Sequence, residues 1–256
     1  MFDAHTHLQD PRLQGLLPRL LAAAETAGIR GVCCCATSHG DVADVQALPH
    51  NFGRIKIMRG YGVHPWHVEN ARLETIEAAL MQDPSACVGE IGLDGVREIS
   101  PLTQRKIFEA QLELAIRLQR VVVLHGARAW GELTGILKKY APRLPGFLLH
   151  SFSAPPELAH ENLKLGAMFS FSATICNPKN TRARAVASLI PLPRIMVETD
   201  TPDLFPRDGV AVGVGLNQPA NLPLVLRSLA ELRSVASDAL CHATEENARR
   251  FFATVF

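Results

Sequence analysis

Read only for hydrophobic and polar positions, the chain alternates short apolar runs with longer amphipathic stretches. The apolar runs predict strands over Phe2–Thr6, Gly31–Ala36, Ile55–Val63, Ala86–Ile91, Val121–Leu124, Phe147–Leu149, Ala167–Ala173 and Ile195–Glu198. Helical periodicity falls between them, over Arg12–Ala27, Gly40–Leu48, Ala71–Met81, Pro101–Leu118, Arg128–Tyr140, Pro156–Leu165 and Thr181–Leu189. Gly28 follows the first of these, as a C-terminal glycine should. Beyond Asp200 a loop bearing Gly and Pro leads to two more helices, near Leu222–Glu231 and Val235–Phe252. Strict βα alternation implies parallel strands joined by right-handed crossovers. Eight such units predict an α/β chain folded as a (β/α)8 barrel with an additional C-terminal helix. An open doubly wound sheet is the alternative. No linker, low-complexity tract or repeat divides the chain, so residues 1–256 are expected to form a single domain.

Composition narrows the class. The 256 residues are 47% hydrophobic, enough for a large core and too many for a disordered chain. The net charge of +1 argues against broad electrostatic attraction to nucleic acid and leaves room for a local basic site. No apolar run is long enough to span a membrane, and His5 and His7 interrupt any secretory signal pattern. Cys33, Cys34, Cys35, Cys87, Cys176 and Cys241 include no C-x-x-C pair. Three lie consecutively in an apolar run, as expected for buried, reduced thiols of a cytoplasmic protein. A soft-metal site is the sharper alternative there. Lys138-Lys139 and Arg249-Arg250 read as solvated helix faces, and no segment marks a protein partner.

The candidate chemistry lies where the strands end. His5 and His7 stand two residues apart, which on a strand places them on one face about 6.5 Å apart, close enough to converge on an ion. Glu90, His125, His150 and Asp200 each terminate or closely follow a later apolar run. Each has a bland reading alone: a hydrogen-bonded core histidine, an arginine-paired glutamate, a turn-capping aspartate. In a parallel barrel, however, all six reach one rim, the face where such barrels carry their active sites. Imidazoles and carboxylates crowded there need cations to neutralise them. Six nitrogen and oxygen donors exceed the needs of one tetrahedral ion, so two divalent ions are expected, with Glu90 as the bridge. The donor types suit Zn, Mn, Fe or Mg without choosing among them.

These segments resemble a family. Phe2-Asp-Ala-His-Thr-His7, Gly62-Val-His-Pro65, Gly89-Glu-Ile-Gly-Leu-Asp94, Val123-Leu-His125, His150-Ser-Phe-Ser153 and Glu198-Thr-Asp-Thr-Pro202 are similar, in order and spacing, to the signatures of TatD-family metal-dependent hydrolases. Asn247-Ala-Arg-Arg-Phe-Phe252 resembles the family's last helix. The resemblance implies an amidohydrolase-like barrel with a divalent-metal centre, acting as a deoxyribonuclease or as a hydrolase of unsettled substrate. By matching position it implies that His5, His7, Glu90 and Asp200 hold one ion, and Glu90, His125 and His150 the second. Two segments depart from the pattern. Gly126-Ala127-Arg128-Ala129 stands where Ser-Arg-Asp commonly follows the histidine, and Asn217-Gln218-Pro219 replaces Asn-Glu-Pro. Both are expected to border the mouth and to bear on substrate choice.

The expected chemistry is metal-assisted hydrolysis, with Asp200 as general base and His64 and Arg128 as donors to a phosphate or oxyanion. His64 reads equally as a turn histidine before Pro65, and Arg128 as a surface residue opening a helix. The expected substrate is DNA, single-stranded or frayed ends above all, or a small phosphodiester. The alternatives are an amide or ester hydrolase using the same centre, and a metal-binding protein without turnover.

Overall fold

The strands wind in chain order around one axis. They are β1 (Phe2–Thr6), β2 (Gly31–Cys35), a two-residue β3 (Asn51–Phe52), β4 (Ile55–Tyr61), β5 (Cys87–Asp94), β6 (Val122–Ala127), β7 (Phe147–Leu149), β8 (Met168–Phe171) and β9 (Ile195–Val197). A computed structural model describes residues 1–252 apart from Val214. Neighbours pair in parallel from β1 round to β9, and β3 alone runs antiparallel, as a hairpin on β4. The sheet closes where β9 returns to β1. Thr6 bridges Thr201, Asp200 N donates to His5 O at 3.1 Å and His7 N donates to Thr201 O at 2.7 Å. Below that seam the buried Asp3 carboxylate accepts from Thr199 N and Thr199 Oγ1 at 2.8 and 2.6 Å. The protein is therefore a (β/α)8 barrel, as the alternation predicted, and the open sheet is ruled out.

The outer ring is α1 (Leu17–Thr26), α2 (Val42–Ala47), α3 (Leu73–Gln82), α4 (Pro101–Leu118), α5 (Trp130–Tyr140), α6 (Pro156–Lys164), α7 (Thr181–Leu189) and α8 (Leu222–Arg233), followed by α9 (Ser237–Phe252). Boundaries shift where local chemistry overrides periodicity. The first helix begins at Leu17 rather than Arg12, because Pro18 lacks an N–H and fits only the first turn. Pro11 instead opens a short 3-10 turn capped by Asp10, whose side chain accepts from Arg12 N. The fourth predicted strand continues past Ile91 to Asp94. Its pairing with β6 needs Gly92, where a Cβ would lie 2.0 Å from His125 O.

Two large apolar compartments result, beside a small cluster of Leu13, Leu20 and Val212. The larger lies between sheet and helices. The smaller fills the barrel, where Phe2, Ala4, Cys33, Cys35, Cys87, Val121, Val123 and Met196 alternate with residues facing the helices. Cys33 Sγ lies 3.9 Å from both Cys35 Sγ and Cys87 Sγ, while Cys34 faces outward and donates to Gln9 Oε1. The cysteines are free thiols, as expected. The additional helix α9 plugs this compartment from below. Phe252 is fully buried and stacks on Phe2 with ring centroids 5.4 Å apart, and Asn247 Nδ2 donates to Leu192 O and Ile195 O at the entry to β9. Phe252→Ala is expected to cost about 3–5 kcal/mol, a transfer loss plus an unfilled cavity. Urea denaturation measures it, and a loss under 1 kcal/mol would mean that the plug is not part of the core.

Candidate metal centre

Simple strand alternation brings two of the candidate groups into the mouth. His125 shares a face with Val121 and Val123, and His150 with Leu148, while Asp200 stands three residues past β9 with φ +56°, aimed by the turn there. β1 and β5 break that rule. Phe2 and Ala4 face inward, yet so do His5 and His7; Cys87 faces inward, and so does Glu90. The change of parity falls where the pairing register shifts, between Asp3 and Thr6 in β1 and between Val88 and Ile91 in β5. Such irregularities re-aim side chains, and here each turns a candidate ligand toward the axis.

The six predicted donors meet, the other five gathered about Glu90, which is buried. Glu90 Oε2 lies 3.2 Å from His5 Nε2 and 3.2 Å from His7 Nε2. Those two nitrogens are 3.2 Å apart, and Asp200 Oδ1 lies 3.6 and 3.7 Å from them. Glu90 Oε1 lies 2.7 Å from His150 Nε2 and 3.0 Å from His125 Nδ1, which are 3.4 Å from each other. Ligands bonded tetrahedrally at about 2.0–2.1 Å stand about 3.3–3.4 Å apart, so both sets have the spacing that a small divalent ion requires.

The far side of each ring supports this. His7 Nδ1 lies 2.9 Å from Cys35 O, His125 Nε2 lies 3.0 Å from Asp94 Oδ2 and His150 Nδ1 lies 3.4 Å from Glu198 Oε1. Assigning the ring protons to those acceptors leaves the inward nitrogens as lone-pair donors. Glu198 also accepts from Ser170 Oγ, and Asp94 from Trp66 Nε1 at 2.8 Å and Val96 N at 2.6 Å. Asp94 and Glu198 lie inside the Gly-Glu-Ile-Gly-Leu-Asp and Glu-Thr-Asp-Thr-Pro segments, and neither has a role assigned from sequence; the structure sets each against the outer nitrogen of a candidate ligand. Their signal was a carboxylate on the same strand or strand end as a ligand. Asp94→Asn can present an amide N–H to His125 and favour the wrong tautomer. The expected result is a loss of metal affinity of about 10–100-fold with the fold intact. Titration against a competing chelator measures it, and unchanged affinity would remove Asp94 from the centre.

The electrostatics ask for positive charge. Burial resists ionisation of Glu90, but the charge of the His150 imidazole beside it, with the hydrogen bond from His125, holds its pKa well below the usual range. Burial also opposes charge on His7, yet the hydrogen bond and charge of Glu90 prevail and raise its pKa to about 9. His150 is raised well above its ordinary value by Glu90 and Glu198, again against burial. Protons are thus drawn to the positions that a cation would fill, so donor type, spacing and field all fit a divalent ion.

His64 and Arg128 part company. His64 is buried in the same cluster, with Nε2 3.6 Å from Glu90 Oε1 and Nδ1 accepting from Trp66 N at 3.2 Å. Burial pushes its pKa well down, so it is a neutral ring carrying its proton on Nε2. Arg128 is exposed and is not among the residues lining the cavity. The departures from the family pattern also separate. Gly126 does line the cavity, and a Cβ there would meet the Trp130 ring at 2.5 Å, which excludes a serine. Asn217 and Gln218 are buried instead, donating to Thr199 O and Val210 O at 2.8 Å each. They clasp the loop after β9 and, contrary to expectation, do not line the mouth.

Above the ligands opens a cavity of about 1080 Å³. A (β/α)8 barrel whose mouth gathers imidazoles about a buried carboxylate has the make-up of a metal-dependent hydrolase. Residues 2–253 match the TatD-related DNase family. The 3'-5' ssDNA/RNA exonuclease TatD of Edwardsiella piscicida is 31% identical over 98% of this chain and 99% of its own. The crystal structure of YjjV, a TatD homologue from Escherichia coli K12, superposes with a TM-score of 0.89 at 30% identity, covering 99% of this chain and 98% of that one. A TatD-family hydrolase from Entamoeba histolytica reaches the same TM-score at 17% identity, a likeness of fold. The chain belongs to the TatD-related DNase family.

Proposed function

We propose that the protein is a divalent-metal-dependent nuclease that removes nucleotides from the 3' ends of single-stranded DNA and RNA. The observation that carries this reading is Glu90, whose two carboxylate oxygens each face a separate imidazole set. That arrangement supports two ions, one among His5, His7, Glu90 and Asp200 and one among Glu90, His125 and His150. Zn, Mn, Fe and Mg all suit these donors. Ions held there would supply Lewis-acid charge and acidify water, the chemistry that phosphodiester hydrolysis requires.

The chain's own residues do the rest. Asp200 sits at the edge of the ligand cluster with a side chain 16% exposed, so its carboxylate can take the proton of the attacking water at the cavity floor. His64 Nε2–H points into the cluster and donates to a phosphate oxygen; as a neutral ring it remains a donor across the working pH range. Arg128, outside the cavity, is left to hold a phosphate further along the strand. A scissile phosphate must descend into the mouth, and an unpaired end can thread where a rigid duplex cannot. The relatives near 30% identity carry nuclease names, so the amide or ester alternative is not favoured. Among the described residues no helix is long and apolar enough to cross a membrane, and the buried free thiols suit a cytoplasmic protein.

The test gives metal-loaded protein a single strand labelled at either end, the matching duplex, and a panel of amides and esters. Stepwise shortening from the 3' end of the single strand, slower on duplex, is expected. A strand left intact beside an amide or ester turned over in an Asp200-dependent way would replace the nuclease reading with the small-molecule one.

A further inference from the structure

The wall of the cavity is chemically lopsided. Its outer carboxylates, Asp10, Asp41, Asp44 and Asp203, stand on the segments that follow β1, β2 and β9. The segments after β4 and β6 contribute His64, Trp66, His67, Gly126 and Ala127, with no carboxylate among them. Arg12, on the first side, pairs with Asp10 and Asp203 at 2.7 and 2.8 Å, yet carboxylates still outnumber cations there, so a polyanion reaching the centre meets less repulsion over the second side.

On that second side stands an immobilised aromatic ring. Trp66 is 40% exposed, whereas Trp130, the other tryptophan, is 7% exposed and packs in the core. The Trp66 indole is pinned by its Nε1–H to Asp94 Oδ2 at 2.8 Å, the same oxygen that meets His125 Nε2. Its ring meets those of His64 and His125 edge-on, with centroids 4.7 and 6.4 Å away. The Arg97 guanidinium lies 3.6 Å from the indole centroid. Arg97 is exposed, and its side chain makes no ion pair or hydrogen bond among the described residues. Arg128 is also exposed, with no side-chain partner among the described residues, on the adjoining loop, where Gly95 N donates to Ala127 O at 2.7 Å.

We propose that Trp66 and Arg97 form a nucleotide subsite beside the metal centre. The base of the penultimate nucleotide stacks on the Trp66 indole, and Arg97 moves from the indole to the phosphate on that nucleotide's 5' side, away from the scissile bond. The inference rests on the nuclease reading and adds to it how the strand is held. An indole fixed in orientation at a solvent-facing rim is a preorganised stacking platform, and stacking accepts every base because each has a π-face. An unpaired guanidinium gives up little on leaving the ring and gains charge-assisted bonds to phosphate. The competing role for Trp66 is a buttress that only orients Asp94 and His125.

The experiment compares an oligothymidylate with the same strand carrying an abasic penultimate residue. The wild-type enzyme is expected to show a KM about tenfold or more higher for the abasic strand, with kcat changed far less. Trp66→Leu is expected to raise KM for the intact strand and to lose the discrimination. Trp66→Phe, which keeps a ring and lacks Nε1–H, restores it; a buttress predicts instead that Phe is no better than Leu and that both still discriminate. In chelator, independently of turnover, oligothymidylate is expected to quench tryptophan fluorescence in the wild-type protein and not in Trp66→Phe, where Trp130 remains as the emitter. Quenching without cleavage by the metal-loaded enzyme defeats the nuclease reading and leaves the subsite standing. Equal KM for the two strands together with absent quenching overturns the subsite, and both are measured on the wild-type protein even if Trp66→Leu fails to fold.

Discussion

Glu90→Gln is expected to lower turnover by about 10³-fold and to cut bound divalent metal by roughly half or more. The glutamate touches both ligand sets, with Oε2 toward His5 and His7 and Oε1 toward His125 and His150. Glutamine keeps the shape and one oxygen donor, but it removes the buried negative charge around which four imidazoles converge. Losing Lewis-acid assistance worth several kcal/mol, at 1.36 kcal/mol per decade, gives the expected factor. Elemental analysis and steady-state kinetics at saturating metal measure the two losses together. The same linkage predicts that chelation lowers the melting temperature of the wild-type protein by more than that of Glu90→Gln, since an ion that binds only the folded state stabilises it by mass action. Full metal content with wild-type rate in Glu90→Gln would remove the bridge from the centre.

Asp200→Asn is expected to lower kcat by about 10²-fold or more while leaving most of the bound metal in place. The proposed base reaches the His5 and His7 nitrogens only at 3.6 and 3.7 Å, farther than Glu90 does, so its part in holding an ion is the smaller one. The amide preserves an oxygen donor and the backbone hydrogen bond from Asp200 N to His5 O, but it cannot accept the proton of water. The informative pattern is a fall in kcat and kcat/KM together at saturating metal, the mark of an interaction made in the transition state. A deficit that disappears as metal is raised would make Asp200 a ligand alone. The contrast between the two variants separates holding the ions from moving the proton.

What the sequence determined by itself is the architecture and the set of candidate ligands. Apolar runs of strand length alternating with amphipathic helices admit few topologies, because parallel strands need crossovers and crossovers have one hand. A polar side chain ending each of several buried runs, as His125 ends Val121–Leu124, carries its own signal, since burying it without a partner would be costly. The element boundaries were less legible. β5 runs on to Asp94 only because Gly92 lets β6 approach, and that contact is made with a residue 33 positions later in the chain.

Only the tertiary structure decided how the ligands are aimed and which neighbours serve them. Period-two alternation would have turned His5 away from the side that Phe2 and Ala4 occupy, and Glu90 away from that of Cys87. The register shifts that reverse this arise from pairing with β2 and β6, which no local pattern encodes. The same holds for Arg128, whose place beside the strand-end histidine suggested a donor but whose side chain stands outside the cavity. Trp66 was silent as sequence, one aromatic in a turn after Pro65. Its position against Asp94, His125 and Arg97 exists only once β4, β5 and β6 stand side by side. Residue type and spacing fix what a strand end can do; the direction in which it does it is set by hydrogen bonds to strands distant in the chain.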